Sequence, residues 1–201
     1  MEGVIVMAID ASSIKELRNQ TGAGILDCKN ALEKSNGVFE KAAKFLRKKG
    51  LAKAAKKDSR GTPEGRIGSY IHTNGKIGVL VEMNCETDFV AKNEIFTNLI
   101  KDICMQVAAT DPISVSKEDI AQEIVEDQRK SYQGEFQDKP SNVKEKIIEG
   151  KMENFYKEKC LLGQPFIKDN NQTVKDLLDN AKAKFGENIR IDRFVRFKIG
   201  D

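Results

Sequence analysis

Apolar residues recur at helical spacing through the first quarter of the chain. Ser13-Ile-Lys-Glu16 reads as a capping box, in which a hydroxyl and a carboxylate satisfy each other's orphan backbone N–H groups, and Ile14, Leu17 and Thr21 then share one helical face. Gly22-Ala-Gly24 interrupts the pattern; Ile25, Cys28, Ala31 and Leu32 restart it, and Asn36-Gly37 stops it again. Val38, Ala42, Phe45 and Leu46 predict a third amphipathic helix ending near Gly50.

The period then changes. Ile67, Ser69 and Ile71 alternate with Gly68 and Tyr70, and Ile77, Val79, Val81 and Met83 alternate with Gly78, Leu80 and Glu82. Asn74-Gly75 between them predicts a β-hairpin whose two turn residues both take positive φ. From Asn93 a helical face returns through Phe96, Leu99, Ile100, Ile103 and Val107, stopped by Asp111-Pro112. Two charged helices follow, one over roughly Glu118–Gln133 and one carrying Val143, Ile147, Ile148, Met152 and Phe155; the turn Gly134–Pro140 folds them into an antiparallel hairpin. Thr173–Phe185 predicts another helix. Arg190–Ile199 predicts a closing strand with a bulge where Phe194 and Phe197 leave strict alternation.

The expected architecture is α+β. A three-helix module covers residues 1–52 and a basic, turn-rich linker covers 53–65. The core, 66–201, is a small antiparallel β-sheet covered on one face by helices, with the helical hairpin at about 118–159. Charge supports the division: residues 1–57 hold 12 basic and 6 acidic residues, the remainder 22 and 25. Lys41–Lys57 contains eight cations and no acid, so the two parts are expected to meet different partners.

Most chemistry is excluded by what the chain lacks. Cys28, Cys85, Cys104 and Cys160 are scattered and His72 is the only histidine, so no zinc site forms from close-spaced ligands, and buried thiols in a reducing compartment are expected. There is no phosphate-binding P-loop and no nucleophile elbow; Gly22-Ala-Gly24 lacks the third glycine of a dinucleotide loop; Asp169-Asn-Asn171 lacks the glycine of a calcium loop. No apolar run approaches the ~20 residues of a membrane helix, and Glu2 precedes the apolar Val4–Ile9 where a secretory signal carries positive charge. The expectation is a cytoplasmic protein without cofactor or metal, and not an enzyme.

The segment Glu82-Met-Asn-Cys-Glu-Thr-Asp-Phe-Val-Ala-Lys-Asn93 joins the second hairpin strand to a helix. Thr87 or Asp88 is placed to cap that helix, and the residues alone favour Phe89 and Val90 tucked beneath it as a hydrophobic staple. This segment, together with Leu17-Arg-Asn-Gln-Thr-Gly-Ala-Gly-Ile-Leu-Asp-Cys-Lys-Asn-Ala-Leu32 and Leu162-Gly-Gln-Pro-Phe-Ile167, resembles the translation elongation factor Ts family, of the short bacterial type, from about Met7 to the C-terminus; Met1–Val6 falls outside the resemblance.

The resemblance implies a guanine-nucleotide exchange factor for elongation factor Tu. It implies that the N-terminal module is similar to a ubiquitin-associated bundle and grips Tu's GTPase domain through Arg18, Ile25, Leu26 and Lys29. It implies that Thr87, Asp88, Phe89 and Val90 intrude there and dislocate Mg²⁺, and that Ile77 and Gly78 match a further Tu-contacting strand. The short type carries one core copy and pairs through it as a homodimer, giving a two-plus-two complex with Tu. Gln106 departs from the long type, where histidine is common. The basic run Lys41–Lys57 admits nucleic-acid binding as a rival, but it has only Phe45 for stacking and no readout motif, so a cationic face steering encounter with acidic Tu is more economical.

Overall fold

The computed structural model describes residues 9–136 and 140–200, so the N-terminal Met1–Val6 lies outside the described residues. The N-terminal module is built from α1 (Ala11–Thr21), α2 (Ile25–Lys34) and α3 (Phe39–Ala55). Leu17, Cys28, Ala31, Leu32, Ala42 and Leu46 form its core.

Three local features of the fold differ from the sequence expectation. The capping box at the start of α1 is Asp10–Ser13, not Ser13–Glu16. The Asp10 carboxylate accepts from the Ser13 N–H at 2.8 Å, and the Ser13 hydroxyl accepts from the Asp10 N–H at 3.1 Å. The first usable carboxylate ahead of the helix takes the cap, and Ser13 becomes its buried partner. α3 does not end near Gly50 but runs to Ala55. Gly50 is a contact point, where an added Cβ would sit 3.7 Å from Ala183 on α8 (Val174–Phe185). The turn of the β-hairpin also differs. Only Gly75 takes a positive φ (69°), while the Asn74 side chain accepts from the Lys76 N–H. The loop spans His72–Lys76, closed by the His72 N–H donating to the Ile77 carbonyl, so it is longer than a two-residue turn.

The core sheet has three antiparallel strands in the order β1 (Glu64–Ile71), β2 (Ile77–Cys85), β5 (Ile189–Lys198). Its inner face carries Val79, Val81, Met83, Cys85, Ile189 and Ile191 against α5 (Glu94–Thr110), whose buried stripe is Phe96, Leu99, Ile100, Ile103, Cys104 and Val107. The expected bulge is real but lies earlier. Glu82 pairs with Arg193 and Met83 with Ile191, leaving Asp192 as the extra residue. That insertion flips the parity, so Phe194 packs inward three positions after Ile191 while Phe197 points outward.

β1 also reverses the apparent pattern. Ile67 and Ile71 are exposed, and the side against α5 is Gly68 and half-buried Tyr70. At Gly68 an added Cβ would lie 2.0 Å from Ile100 Cγ2, so glycine is what lets α5 lie directly on the strand. Gly68→Ala is expected to cost about 1–3 kcal/mol through overpacking, read as a lower urea midpoint with an unchanged slope.

α4 (Asp88–Ala91) links β2 to α5. A short hairpin, β3 (Pro165–Phe166) with β4 (Asp169–Thr173), which the sequence pattern did not reveal, precedes α8. The helical hairpin is α6 (Gln122–Glu135) and α7 (Ser141–Lys159). It has a cluster of its own in Ile120, Ile148, Met152, Phe155 and Cys160. Among the described residues no helix is long and apolar enough to cross a membrane.

The N-terminal module is fastened to the core. Lys57 Nζ donates to the Lys182 carbonyl at 3.0 Å, and the buried Lys182 ammonium meets Asp58 at 2.5 Å and Asp179 at 3.7 Å. A buried lysine needs such partners, since an unpaired ammonium in that position would be expelled or neutralised.

Candidate functional site

The strand-to-helix junction at residues 85–93 presents one large apolar side chain to solvent. Thr87 has extended backbone (φ −130°, ψ 153°) and caps α4, its hydroxyl accepting from the Val90 N–H at 3.5 Å. Asn93 caps α5 in turn, accepting from the Ile95 N–H at 2.9 Å. Two caps six residues apart confine α4 to a single turn. Val90 and Ala91 face the core and are buried, but Phe89 is 81% exposed. The staple expectation therefore holds for Val90 and fails for Phe89. The helix rotates about 100° per residue, so with Val90 and Ala91 turned to the core Phe89 is carried round to the outer side.

Asp88, also on the outer side, pairs with Lys92 one turn on at 2.7 Å. The hydrogen bond from Lys92 holds the Asp88 carboxyl below the usual carboxylate range, so it stays ionised at neutral pH.

The junction is anchored from below by residues that the motif does not contain. The Glu187 carboxylate accepts from the Glu86 N–H (3.1 Å), the Thr87 N–H (3.1 Å) and the Thr87 hydroxyl (2.6 Å). In return the Glu86 carboxylate accepts from the Asn188 N–H (2.5 Å) and pairs with Arg60 (3.4 Å). The Cys85 thiol, which burial pushes up to about 11 and so keeps protonated, donates to the Thr87 carbonyl at 3.2 Å. Glu187 and Asn188 lie about a hundred residues downstream, and only the Gly186 helix stop (φ 78°) just before them is a visible signal.

The second group lies on the N-terminal module. Gly22 (φ 67°) ends α1, and Gly24 precedes α2 without a side-chain cap. Ile25 and Leu26, in the first turn of α2, are 61% and 70% exposed, one turn ahead of the buried Cys28. Arg18 and Lys29 flank them and are exposed, Lys29 lying 3.8 Å from Glu33. Two adjacent exposed aliphatics between cations form a surface that its own fold does not cover.

Ile77 and Gly78 stand apart. They open β2 at the end opposite the junction, ten and nine positions and hence roughly 30 Å of chain from Thr87. Gly78 lies on the outer face of the sheet, in one row with Ile71 and Phe197. The next row holds Leu80 with Val195. With Ile67 and Ile199, these residues leave an apolar strip exposed on the face that α5 does not cover.

Gln106 is wholly buried on α5. Its amide donates to Gln164 Oε1 and to the Pro165 carbonyl, each at 3.1 Å, and its carbonyl oxygen accepts from the Ile167 N–H at 2.8 Å. It stitches Leu162–Ile167 to the core and offers nothing to solvent. Gln106→Leu is expected to destabilise the fold by about 2–4 kcal/mol by orphaning those groups; chemical denaturation reads it directly.

Comparison with known proteins finds similar sequences along nearly the whole chain. The family model described as Elongation factor TS matches residues 38–201. A protein named Elongation factor Ts from Fervidobacterium nodosum is 54% identical over 197 residues, covering 97% of this chain and 100% of that protein. Its namesake from Thermodesulfovibrio yellowstonii is 55% identical over 195 residues, covering 96% and 98%. The namesake from Caldanaerobacter subterraneus is 54% identical, again over 195 residues. These alignments take in α1 and α2, which the family model leaves out. With the model spanning most of the chain and relatives more than half identical along nearly its full length, the chain belongs to the elongation factor Ts family.

Proposed function

We propose that this protein is the guanine-nucleotide exchange factor for elongation factor Tu in the cytoplasm, binding Tu·GDP and releasing GDP so that GTP can load. It performs no bond chemistry of its own. The observation that carries the reading is Phe89, a bulky apolar side chain held out into solvent on a single helical turn whose other side is fixed in the core.

Exchange is negative coupling: a factor that weakens GDP on Tu is itself weakened by GDP, by the same ratio. The factor must therefore prefer a Tu conformation that holds GDP and Mg²⁺ poorly. Burying a phenylalanine between two Tu helices contributes roughly 1.5–3 kcal/mol to that conformation, and packed helices yield by stepping apart rather than by deforming continuously. Mg²⁺ demands near-ideal octahedral geometry, so a small displacement of its ligands loses much of the binding. Thr87 and Val90 set the wedge, Phe89 inserts, and the ionised Asp88 competes for a polar contact within Tu.

Arg18, Ile25, Leu26 and Lys29 form the separate grip on Tu's GTPase domain. Ile77 and Gly78 supply a smaller third contact at the open end of the sheet. The apolar strip Ile67, Ile71, Leu80, Val195, Phe197 and Ile199 is the surface through which two copies pair, giving a two-plus-two complex. The rival nucleic-acid reading is weakened at its one aromatic: Lys34 Nζ already sits 5.3 Å over the Phe45 ring. The test is release of a fluorescent GDP from Tu of the same organism. Acceleration by this protein supports the reading, and release at Tu's intrinsic rate overturns it.

A further inference from the structure

We infer that Glu187 is a positioning residue for exchange, holding the Thr87–Val90 turn so that Phe89 meets Tu as a pre-set wedge. The inference deepens the exchange reading and rests on it. Both oxygens of the Glu187 carboxylate are occupied by the junction, one by the Thr87 hydroxyl at 2.6 Å and the other by the N–H groups of Glu86 and Thr87. Because Thr87 donates its hydroxyl proton to Glu187, the oxygen's lone pairs are left for the Val90 N–H, so the α4 cap depends on Glu187 for its orientation. The Thr87 carbonyl is held separately by the Cys85 thiol. All three polar groups of this one residue are thus fixed by side chains on β2 and on the turn after α8.

The arrangement is reciprocal, since the Glu86 carboxylate holds the Asn188 N–H in return. It also reaches the segment that follows α3. The Asn188 side-chain amide donates to the Arg60 carbonyl at 2.8 Å, and Arg60 pairs with Glu86. Two residues earlier, Asp58 meets the buried Lys182. The wedge and the chain leading from the Tu-gripping module therefore share one hydrogen-bonded seam. A helical turn of four residues has little stability of its own, and a wedge free to rotate spends its binding free energy on ordering rather than on displacing Tu's helices. None of these bonds touches Phe89, so the seam acts through geometry alone.

Glu187→Gln tests this in the full-length chain. Glutamine keeps the size but loses the charge and one acceptor, and turns an NH₂ toward the Thr87 donors. The maximal rate of GDP release at saturating factor is expected to fall roughly 5–20-fold, with the half-saturating concentration changed by less than about twofold. Amide hydrogen exchange at Val90 and Ala91 in the free protein is expected to speed up, a change that loss of a direct Tu contact would not produce. In the wild-type protein, the Glu86 and Thr87 amides are expected to exchange slowly and Phe89 fast. That comparison needs no variant and stands even if Glu187→Gln fails to fold. Rapid exchange at Glu86 and Thr87, or an unchanged maximal rate in Glu187→Gln beside a wild type that accelerates release, overturns the positioning role alone. A raised half-saturating concentration with unaltered Val90 exchange also overturns it, making Glu187 a contact instead. A wild type that fails to accelerate release overturns the exchange reading and this role together.

Discussion

Phe89→Ala is expected to slow factor-catalysed GDP release by about 5–150-fold, equivalent to roughly 1–3 kcal/mol of barrier. The estimate follows from exposure. The ring is 81% exposed in the free protein, so nearly all of its apolar surface is available for burial against a partner. For the same reason its removal takes almost nothing from the fold, and the unfolding midpoint is expected to stay within the small range of surface substitutions. Val90→Ala is the converse, since Val90 is buried in the core and its truncation leaves a cavity there. Loss of exchange without loss of stability at Phe89, beside loss of stability at Val90, separates a wedge from a structural residue. Coupling adds a second signature: affinity of Phe89→Ala for nucleotide-free Tu falls more than its affinity for Tu·GDP, because only the open conformation accommodates the ring. Stopped-flow release of a fluorescent GDP, with both affinities measured separately, checks this. Equal release by variant and wild type would remove Phe89 from the mechanism. The neighbouring Asp88–Lys92 pair is exposed and screened, so Asp88→Asn is expected to have a smaller effect than Phe89→Ala.

Local pattern made much of this fold legible. The helical stripes of α2 and α5, the Asp111-Pro112 stop and the inward row Val79, Val81, Met83 follow from periods of 3.6 and 2, because burial of one face is what those periods encode. Where the reading failed, a tertiary neighbour decided. Gly50 is a breaker in isolation, yet it continues α3 because α8 packs against it. Ile67 and Ile71 have the spacing of a buried face, but Gly68 turns the other side of β1 to α5 and leaves them outside. The position of the bulge at Asp192 needed the register of the partner strand.

The candidate site divides in the same way. The resemblance named Thr87–Val90 from a contiguous motif, and Thr87 as a cap was readable from its place before a helix. That Phe89 rather than Val90 faces solvent depended on the rotation of α4, set by two caps. Glu187 is about a hundred residues from Thr87 in sequence, with nothing local to mark it, since any carboxylate after a helix-ending glycine looks like a solvated charge.

On the proposed pairing through the outer face of the sheet, Phe197→Ala is expected to leave the protein largely monomeric. In a two-fold pairing the same surface is used twice, so each substitution acts on both sides of the interface. Two phenylalanines at roughly 1.5–3 kcal/mol each give about 3–6 kcal/mol, a dissociation constant raised by on the order of 10²–10⁴. Phe197 is the right probe because it is 67% exposed and lies on the outer face, beside the dip left by Gly78. Its truncation removes surface that the protomer does not itself bury, so each monomer should keep its fold and its unfolding midpoint at low concentration. The charged pair Arg193–Glu82 at the other end of the face marks where the apolar strip stops. Sedimentation across a hundredfold range of concentration reads the result. A wild type of monomeric mass at every concentration, or a Phe197→Ala protein as dimeric as wild type, would remove this face as the pairing surface. Exchange separates the two roles: the junction at Thr87–Val90 lies at the far end of β2 from Phe197. Monomeric Phe197→Ala should therefore still release GDP from Tu, while its complex with Tu falls from two-plus-two to one-plus-one.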